Sequence, residues 1–114
     1  GEKHWPEARR LYQRATELKG AAQLAGYETA LGYARRLLAR SPQPTAEQRV
    51  FVASLLYQAA TSEGDKVNQP RIREAIDQAR EALLLSVRPT DQVYQILIAC
   101  HLQLGENTRA AELL

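Results

Sequence analysis

Apolar residues recur along this chain with the period of an α-helix rather than with the alternation of a strand. In 70–85 they fall at positions i, i+3, i+4, i+7, i+10 and i+11, so they share one side of a helix that begins near Pro70. The segment 26–42 repeats these offsets, with alanine at the same two positions. Unrelated amphipathic helices share a period but not every offset, so the agreement predicts an internal repeat. The two series are Ile72, Ala75, Ile76, Ala79, Ala82 and Leu83, and Tyr27, Ala30, Leu31, Ala34, Leu37 and Leu38.

Polar residues and glycines predict where the intervening helices begin and end. Thr45 followed by Gln48 is a capping box, which predicts a helix that runs through 50–60. Thr90 can cap a further helix in the same way. Gly105 is suited to the left-handed backbone of a tight corner, after which a short final helix begins. The chain is therefore predicted to fold as successive helix hairpins.

The first part of the chain fits this scheme less regularly. The segment 5–15 copies the spacing of the two repeated helices, but Ala8 lies too close to Ala30 for a full repeat. We therefore predict that 6–24 is the first helix of an irregular hairpin. The three predicted units are 6–42, then 45–89 with an insertion near 61–69 between its helices, and then 90–114, which is incomplete.

Alanines on the apolar stripes predict where neighbouring helices approach each other. Two helix axes come close only where the intervening side chains are short, and leucine there would overpack the contact at a cost of about 1–3 kcal/mol. The predicted contact positions are Ala30, Ala34, Ala75, Ala79 and Ala110.

This pattern resembles the tetratricopeptide repeat (TPR) family, whose 34-residue signature runs W-x2-L-G-x2-Y, then A-x3-F, then P. The matching residues are Tyr94, Leu97, His101, Gly105 and Ala110 in the last unit, Leu56, Gly64, Ala75, Ala79 and Ala82 in the middle unit, and Ala30, Ala34, Leu37 and Pro42 in the first. The resemblance implies an all-α, TPR-like right-handed α-solenoid of about three helix hairpins, with the last repeat incomplete. The middle unit is about 11 residues longer than a TPR, and we place the surplus in 61–69.

Composition narrows the function classes. Apolar residues make up 45% of the chain, as in globular proteins, and 15 basic residues are interspersed with 13 acidic ones. Nucleic-acid binding is not favoured, because basic residues are not gathered on one stripe. No apolar run reaches the roughly 20 residues of a membrane span. The chain begins with glycine and has no methionine, so we expect a piece of a longer protein.

Residues that could carry chemistry do not form a catalytic set. Cys100 and His101 are adjacent, but neighbours on a helix point about 100° apart and do not converge on one atom. We therefore interpret them as a core thiol beside a core histidine. The segment 63–65 with Asn68 lacks the spacing of a calcium loop. No phosphate-binding loop or Ser/His/Asp set occurs, so we expect no enzyme activity, no metal and no cofactor.

Charged residues are predicted to lie on solvated helix faces. The pairs Arg9–Arg10 and Arg35–Arg36 fall opposite the apolar stripes. Arg73 and Asp77 have the spacing of an ion pair within one helix.

The TPR resemblance implies a concave surface lined by the first helix of each repeat, where partners bind. In this chain the corresponding residues are Ser54, Gln58, Thr61, Gln92, Gln95, Ala99 and Gln103. They are neutral, so the cations of the family's carboxylate clamp are missing. Amide side chains both donate and accept hydrogen bonds, so we expect a polar backbone or an uncharged surface as partner. The alternative is that these glutamines are simply solvated.

We therefore expect a non-catalytic protein–protein interaction scaffold. The degenerate, arginine-, alanine- and leucine-rich repeats are similar to the periplasmic TPR segments of bacterial exopolysaccharide export proteins, which implies recruitment of a polysaccharide-modifying enzyme beside an outer-membrane pore. The alternatives are a cytoplasmic TPR adaptor or secretion chaperone and, less favoured, a nucleic-acid-binding regulator. Because the final helix near Thr108 is shorter than an isolated helix requires, we also expect that the chain ends within a repeat and self-associates through its C-terminal face.

Overall fold

Six α-helices follow one another along the chain in the computed structural model, which describes residues 4–113. They are α1 (His4–Thr16), α2 (Gly20–Arg40), α3 (Ala46–Thr61), α4 (Gln69–Leu85), α5 (Asp91–Gln103) and α6 (Asn107–Glu112). Within residues 4–113 there is no strand. The prediction of an all-α fold is therefore confirmed.

Most of the helices begin and end where the capping residues of the sequence predict. The hydroxyl of Thr45 accepts a hydrogen bond from the backbone N–H of Gln48 at 3.1 Å, and the Gln48 side chain accepts one from the backbone of Thr45 at 3.0 Å. This is the predicted capping box, and it occupies N–H groups that the first turn cannot satisfy internally. Asn68 caps α4 through the N–H of Arg71. Thr90 occupies the N-cap position of α5, but its side chain makes no capping bond.

The corner between α5 and α6 depends on Gly105. Its φ is 75°, in the left-handed region that side chains with a Cβ rarely adopt. This conformation lets the N–H of Glu106 reach the carbonyl of His101 at 2.8 Å and the N–H of Gly105 reach that of Leu102 at 3.0 Å. The carbonyls at the end of α5 are thus satisfied as the chain reverses, and the predicted corner is confirmed.

The first hairpin differs from the prediction. The expected helix over 6–24 is wrong, because α1 ends at Thr16 and α2 begins at Gly20, which has a φ of 61°. Gly26, at which the repeated segment 26–42 begins, lies inside α2. A Cβ on Gly26 would lie 2.8 Å from the Cβ of Ala15, so this glycine marks a close approach of α1 and α2 within a longer helix.

The helices form two layers. Each helix packs against its neighbours along the chain, and α3 packs against α5 as well. The molecule measures 38 × 36 × 20 Å, and its thickness is about two helix diameters of 10 Å. Because the turns at 17–19 and 104–106 are short, the helices that they join run antiparallel. The segments predicted as units each contain one pair of helices, α1–α2, α3–α4 and α5–α6.

The core is centred on α3, which is apolar around most of its circumference and is covered on several sides. Its buried residues are Val50, Phe51, Val52, Ala53, Leu55, Leu56, Ala59 and Ala60. The alanines predicted at helix contacts are also buried, which confirms that prediction; they are Ala30, Ala34, Ala75, Ala79 and Ala110. The polar segment predicted as an insertion connects α3 to α4, and the N–H of Asn68 bonds there to the carbonyl of Ala60 at 3.0 Å.

Arginine–carboxylate pairs join α2 to α4 on the outer side of the molecule. Arg35 makes two hydrogen bonds to Glu74, one of them 3.1 Å long, and Arg71 contacts Glu28 at 3.0 Å. Arg35 was predicted to be a solvated side chain. It is exposed, but it also links helices of two different hairpins. Among residues 4–113, no helix is both long enough and apolar enough to cross a membrane.

Candidate functional site

An open groove of about 630 Å³ lies between α1, α3 and α5, the first helices of the three pairs. The loop that joins α4 to α5 supplies part of its wall. We call this the α1–α3–α5 groove. A concave site of this size, between packed helices, is within the range of volumes that bind small molecules or single peptide side chains.

The floor of the groove is apolar. Val50 and Phe51 of α3 and Val93 of α5 line it, and each is at most 8% exposed. The Phe51 ring is packed by Tyr12 of α1, with ring centroids 5.8 Å apart. These side chains come from different helices of the core, so the floor is a rigid part of the molecule rather than a mobile loop.

Arg9 lies over this floor. Its guanidinium carbon is 5.3 Å from the centroid of the Phe51 ring, within the distance at which a cation is attracted to an aromatic face. Such a contact contributes about 0.5–1 kcal/mol at an exposed site. Arg9 was predicted to lie on a solvated helix face. This prediction is incomplete, because the Arg9 side chain also contacts Phe51 of α3 and places its charge at the groove.

The rim next to the α4–α5 loop carries apolar side chains that the core does not cover. Leu85 and Val87 line the groove and are 52% and 98% exposed, and the neighbouring Leu84 is 81% exposed. Single exposed apolar residues are ordinary, but three close together beside a concave site are typical of a binding surface.

The charges of the groove are mixed but mostly positive. Arg9 and Arg88 stand on it with a single carboxylate, that of Glu47. Burial is the main cause that raises the pKa of Tyr12, and the nearby Tyr27 raises it further, while a hydrogen bond with Gln58 lowers it. The Tyr12 hydroxyl therefore stays protonated at neutral pH and can both donate and accept a hydrogen bond.

Two of the seven residues predicted for a concave surface line the groove, Ser54 and Gln92. The Ser54 hydroxyl already donates to the carbonyl of Val50 at 3.0 Å, so it offers a partner only its lone pairs. Gln92 is exposed and free to form hydrogen bonds in either direction.

The other five predicted residues lie outside the lining of the groove. Thr61 donates to the carbonyl of Tyr57 at 2.9 Å, and the Gln103 amide is 3.5 Å from the Tyr57 hydroxyl. Gln58 is half-buried beside Tyr12. The two remaining residues are Gln95, which is exposed, and Ala99, which is half-buried.

The sequence prediction missed Arg9, Leu85, Val87 and Arg88. The predicted binding surface lay on α3 and α5 alone, since the irregular first hairpin did not show which residues of α1 correspond to it and the α4–α5 loop lies between repeats. A signal for the rim was nevertheless present in 83–87, where more apolar residues occur than one helical stripe requires.

Cys100 and His101 are both buried, as predicted. Cys100 is fully buried, and this burial raises the pKa of its thiol to about 12, so it is not a nucleophile at neutral pH. His101 is buried, and its Nδ1 lies 3.2 Å from the carboxylate of Glu106. Within residues 4–113 no group of three or more His, Cys, Asp or Glu residues is placed to hold a metal ion.

Comparison of the chain with protein-family models, with curated proteins and with solved structures finds no match.

Proposed function

We propose that this protein is a non-catalytic interaction scaffold that holds a segment of a partner protein in the α1–α3–α5 groove. The observation that carries the proposal is the combination of a buried apolar floor with an exposed apolar rim at Leu85 and Val87. Apolar side chains that remain in water in the free protein gain about 25 cal/mol per Å² when a partner covers them. A groove in which such residues adjoin a preformed floor is therefore suited to a partner's apolar side chain.

The charges on the groove indicate which segment fits. Arg9 and Arg88 line the groove with Glu47 as the single carboxylate, and guanidinium groups pair well with carboxylates. We infer that the partner segment carries one or two apolar anchors for the floor and a carboxylate close to them. Gln92 and the Tyr12 hydroxyl would bond to its backbone. This partner is more acidic than the uncharged one predicted from α3 and α5 alone.

The arrangement of the helices supports, as part of the same proposal, a TPR-like right-handed solenoid of three hairpins. In such a solenoid the first helix of each repeat faces the binding surface, and the groove here is bounded by α1, α3 and α5. The first helices of the three pairs begin at His4, Ala46 and Asp91, farther apart than the TPR period of 34 residues. The repeats would therefore be longer than a typical TPR.

The resemblance to exopolysaccharide export proteins suggests one setting for this groove. There the partner would be a polysaccharide-modifying enzyme in the periplasm, held beside an outer-membrane pore. A cytoplasmic adaptor or secretion chaperone would use the same groove. Labelling of the native protein in intact cells with a reagent that does not cross the inner membrane distinguishes the two, because only a periplasmic protein reacts.

Selection from a phage-displayed peptide library tests the groove directly. We expect the selected peptides to contain an apolar residue beside an acidic one and to bind with micromolar dissociation constants, about −8 kcal/mol. Gln92→Glu and Ser54→Glu place a negatively charged side chain at the groove, which repels an acidic segment, and should weaken binding by about tenfold or more, or about 1.4 kcal/mol.

Ala39→Glu is the matched control, because Ala39 is exposed on α2 away from the groove. It should change the affinity by less than about twofold, or about 0.4 kcal/mol. Circular dichroism melting curves show whether each variant is folded. Equal binding by the wild type and by both groove variants would refute the proposal.

A second apolar surface supports self-association. Tyr94 and Leu102 are 36% and 52% exposed on α5, with the half-buried Ile98 between them at four-residue intervals, so the three share one side of the helix. We propose that two copies meet along this stripe. Sedimentation equilibrium should show a dimer that Leu102→Glu converts to a monomer; a monomeric wild type at about 100 μM, well above ordinary micromolar affinities, would exclude it.

A further inference from the structure

A second pocket, of about 250 Å³, lies where α4 faces the end of α5 and the start of α6. We call it the α4–α6 pocket. Its charged and polar lining consists of Arg73, Asp77 and Arg80 from α4, His101 from α5, and Glu106 and Arg109 from the α6 region.

The arginines of this pocket are largely unneutralised. Arg73 and Arg80 are i and i+7 on α4 and thus lie on one face of the helix. In the described part of the chain, neither side chain makes a hydrogen bond or an ion pair. The pair predicted from the spacing of Arg73 and Asp77 is not formed. Arg109 approaches Glu106 only to 3.8 Å.

The corresponding junction between α2 and α4 is built differently. There, Arg35 meets Glu74 in a two-bond contact and Arg71 meets Glu28 at 3.0 Å. Arg35 and Arg71 thus each have a carboxylate partner. The junction between α4 and α6 contains three guanidinium groups and two carboxylates, one of which is already bonded to His101.

The charged side chains that line the pocket carry a net positive formal charge, from three guanidinium groups and two carboxylates. A hydrogen bond from His101 is the main cause that lowers the pKa of Glu106, and the charges of Arg109 and Arg73 lower it further. The charges of Arg109 and Arg73 therefore favour the ionised form of a carboxylate beside them.

We propose that the α4–α6 pocket binds a phosphate-class dianion, held by hydrogen bonds from Arg73 and Arg80 with Arg109 at its edge. The planar guanidinium group donates two parallel hydrogen bonds to the oxygens of a phosphoryl group, which a point charge such as an ammonium cannot do. The volume of the pocket is several times the roughly 30 Å³ that one water molecule occupies in the liquid. A phosphoryl group and its bound waters therefore fit. The α1–α3–α5 groove shares no lining residue with this pocket.

Titration with inorganic phosphate, followed by two-dimensional NMR of the whole chain, tests the proposal. Total ionic strength is held constant with chloride, because exposed arginines attract any anion when salt is low. We expect saturable shifts of amides in α4 and α6, with a dissociation constant near the millimolar range, about −4 kcal/mol. The Arg73→Gln and Arg80→Gln double variant should lose these shifts, and Arg73→Lys with Arg80→Lys should weaken binding by several-fold, because the charge stays but the paired donors are lost.

Arg14→Gln with Arg40→Gln is the matched control, since it removes the same charge from exposed positions in α1 and α2. Its affinity should equal that of the wild type. The proposal would be overturned if the control variant lost as much phosphate affinity as the double variant, or if chloride alone caused the same amide shifts as phosphate. Either result would indicate general attraction of anions to positive charge.

Vesicles of phosphatidate in phosphatidylcholine, compared with phosphatidylcholine alone, distinguish a lipid headgroup from a free phosphate. Co-sedimentation that requires Arg73 and Arg80 supports a headgroup as the source of the phosphoryl group. Saturable binding of inorganic phosphate without co-sedimentation supports a free phosphate. Binding of neither probe refutes the site.

Discussion

Two glycines in α2 should respond in opposite ways to the same substitution. Gly26 and Gly32 are both in the interior of the helix, where alanine is normally favoured over glycine by about 0.5–1 kcal/mol. At Gly32 an added Cβ meets nothing within 4 Å, so Gly32→Ala should stabilise the protein by about this amount. At Gly26 the new Cβ would lie 2.8 Å from the Cβ of Ala15 and 3.3 Å from its Cα.

The expected cost at Gly26 follows from this geometry. The Cβ and Cα of Ala15 cannot rotate away, so α1 and α2 must move apart, and overpacking of this kind costs about 1–3 kcal/mol. The helix-propensity gain is common to both substitutions. The difference in unfolding free energy between the two variants therefore measures the overpacking cost alone, about 1–3 kcal/mol, or about 4 °C in melting temperature for each kcal/mol.

Urea unfolding of the wild type and the two variants, followed by circular dichroism, measures this difference. Ala15→Gly in the Gly26→Ala background should restore part of the loss, so the double variant should be more stable than the sum of the single changes indicates. If Gly26→Ala stabilises the protein as much as Gly32→Ala does, α1 and α2 do not approach each other as described.

Three further predictions concern the core and the charged surface. Cys100 should react with a thiol reagent slowly in the native protein and rapidly in denaturant, because it is buried with a pKa raised to about 12; equal rates would mean that α5 is turned the other way. Glu106 has a lowered pKa in the folded state, so its contribution to stability is present above its ordinary pKa and is lost as the pH falls through the folded value. Between about pH 6 and about pH 3 the melting temperature should therefore fall less in Glu106→Gln than in the wild type, whereas the exposed Glu112→Gln should behave as the wild type. A double-mutant cycle on Arg35 and Glu74 should give a coupling of about 0.2–1 kcal/mol that decreases with salt, because the pair is exposed; zero coupling at low salt would show that this pair does not stabilise the contact between α2 and α4.

The features of the fold that depend on interactions within a few residues of sequence could be predicted. The offsets of the apolar stripes predicted α2 and α4, and Thr45 with Gln48 and Gly105 predicted a start and a corner that the structure contains. The first hairpin was predicted wrongly because glycine ordinarily disfavours a helix interior. At Gly26 the contact with a distant helix outweighs that preference, and such a contact has no local signal.

The candidate site was less predictable for the same reason. Ser54 and Gln92 could be placed by their positions on α3 and α5, but the role of Arg9 depends on a ring that lies in another helix. The stacking of the hairpins determines which side chains converge. The sequence shows which apolar stripes pack, but it does not show the angle at which the helices cross. Arg88 belongs to a loop, whose path depends on the helices that it joins.

The central claim, that the α1–α3–α5 groove holds a partner segment, is tested most directly by NMR of the complex with a selected peptide. With isotopically labelled valine and leucine methyl groups, intermolecular Overhauser effects identify the methyls that touch the peptide. We predict contacts from the peptide's apolar anchor to Val50, Val93 and Val87, which lie on the floor and rim. Contacts confined to methyl groups outside the groove, such as those of Leu102 on α5, would contradict the claim.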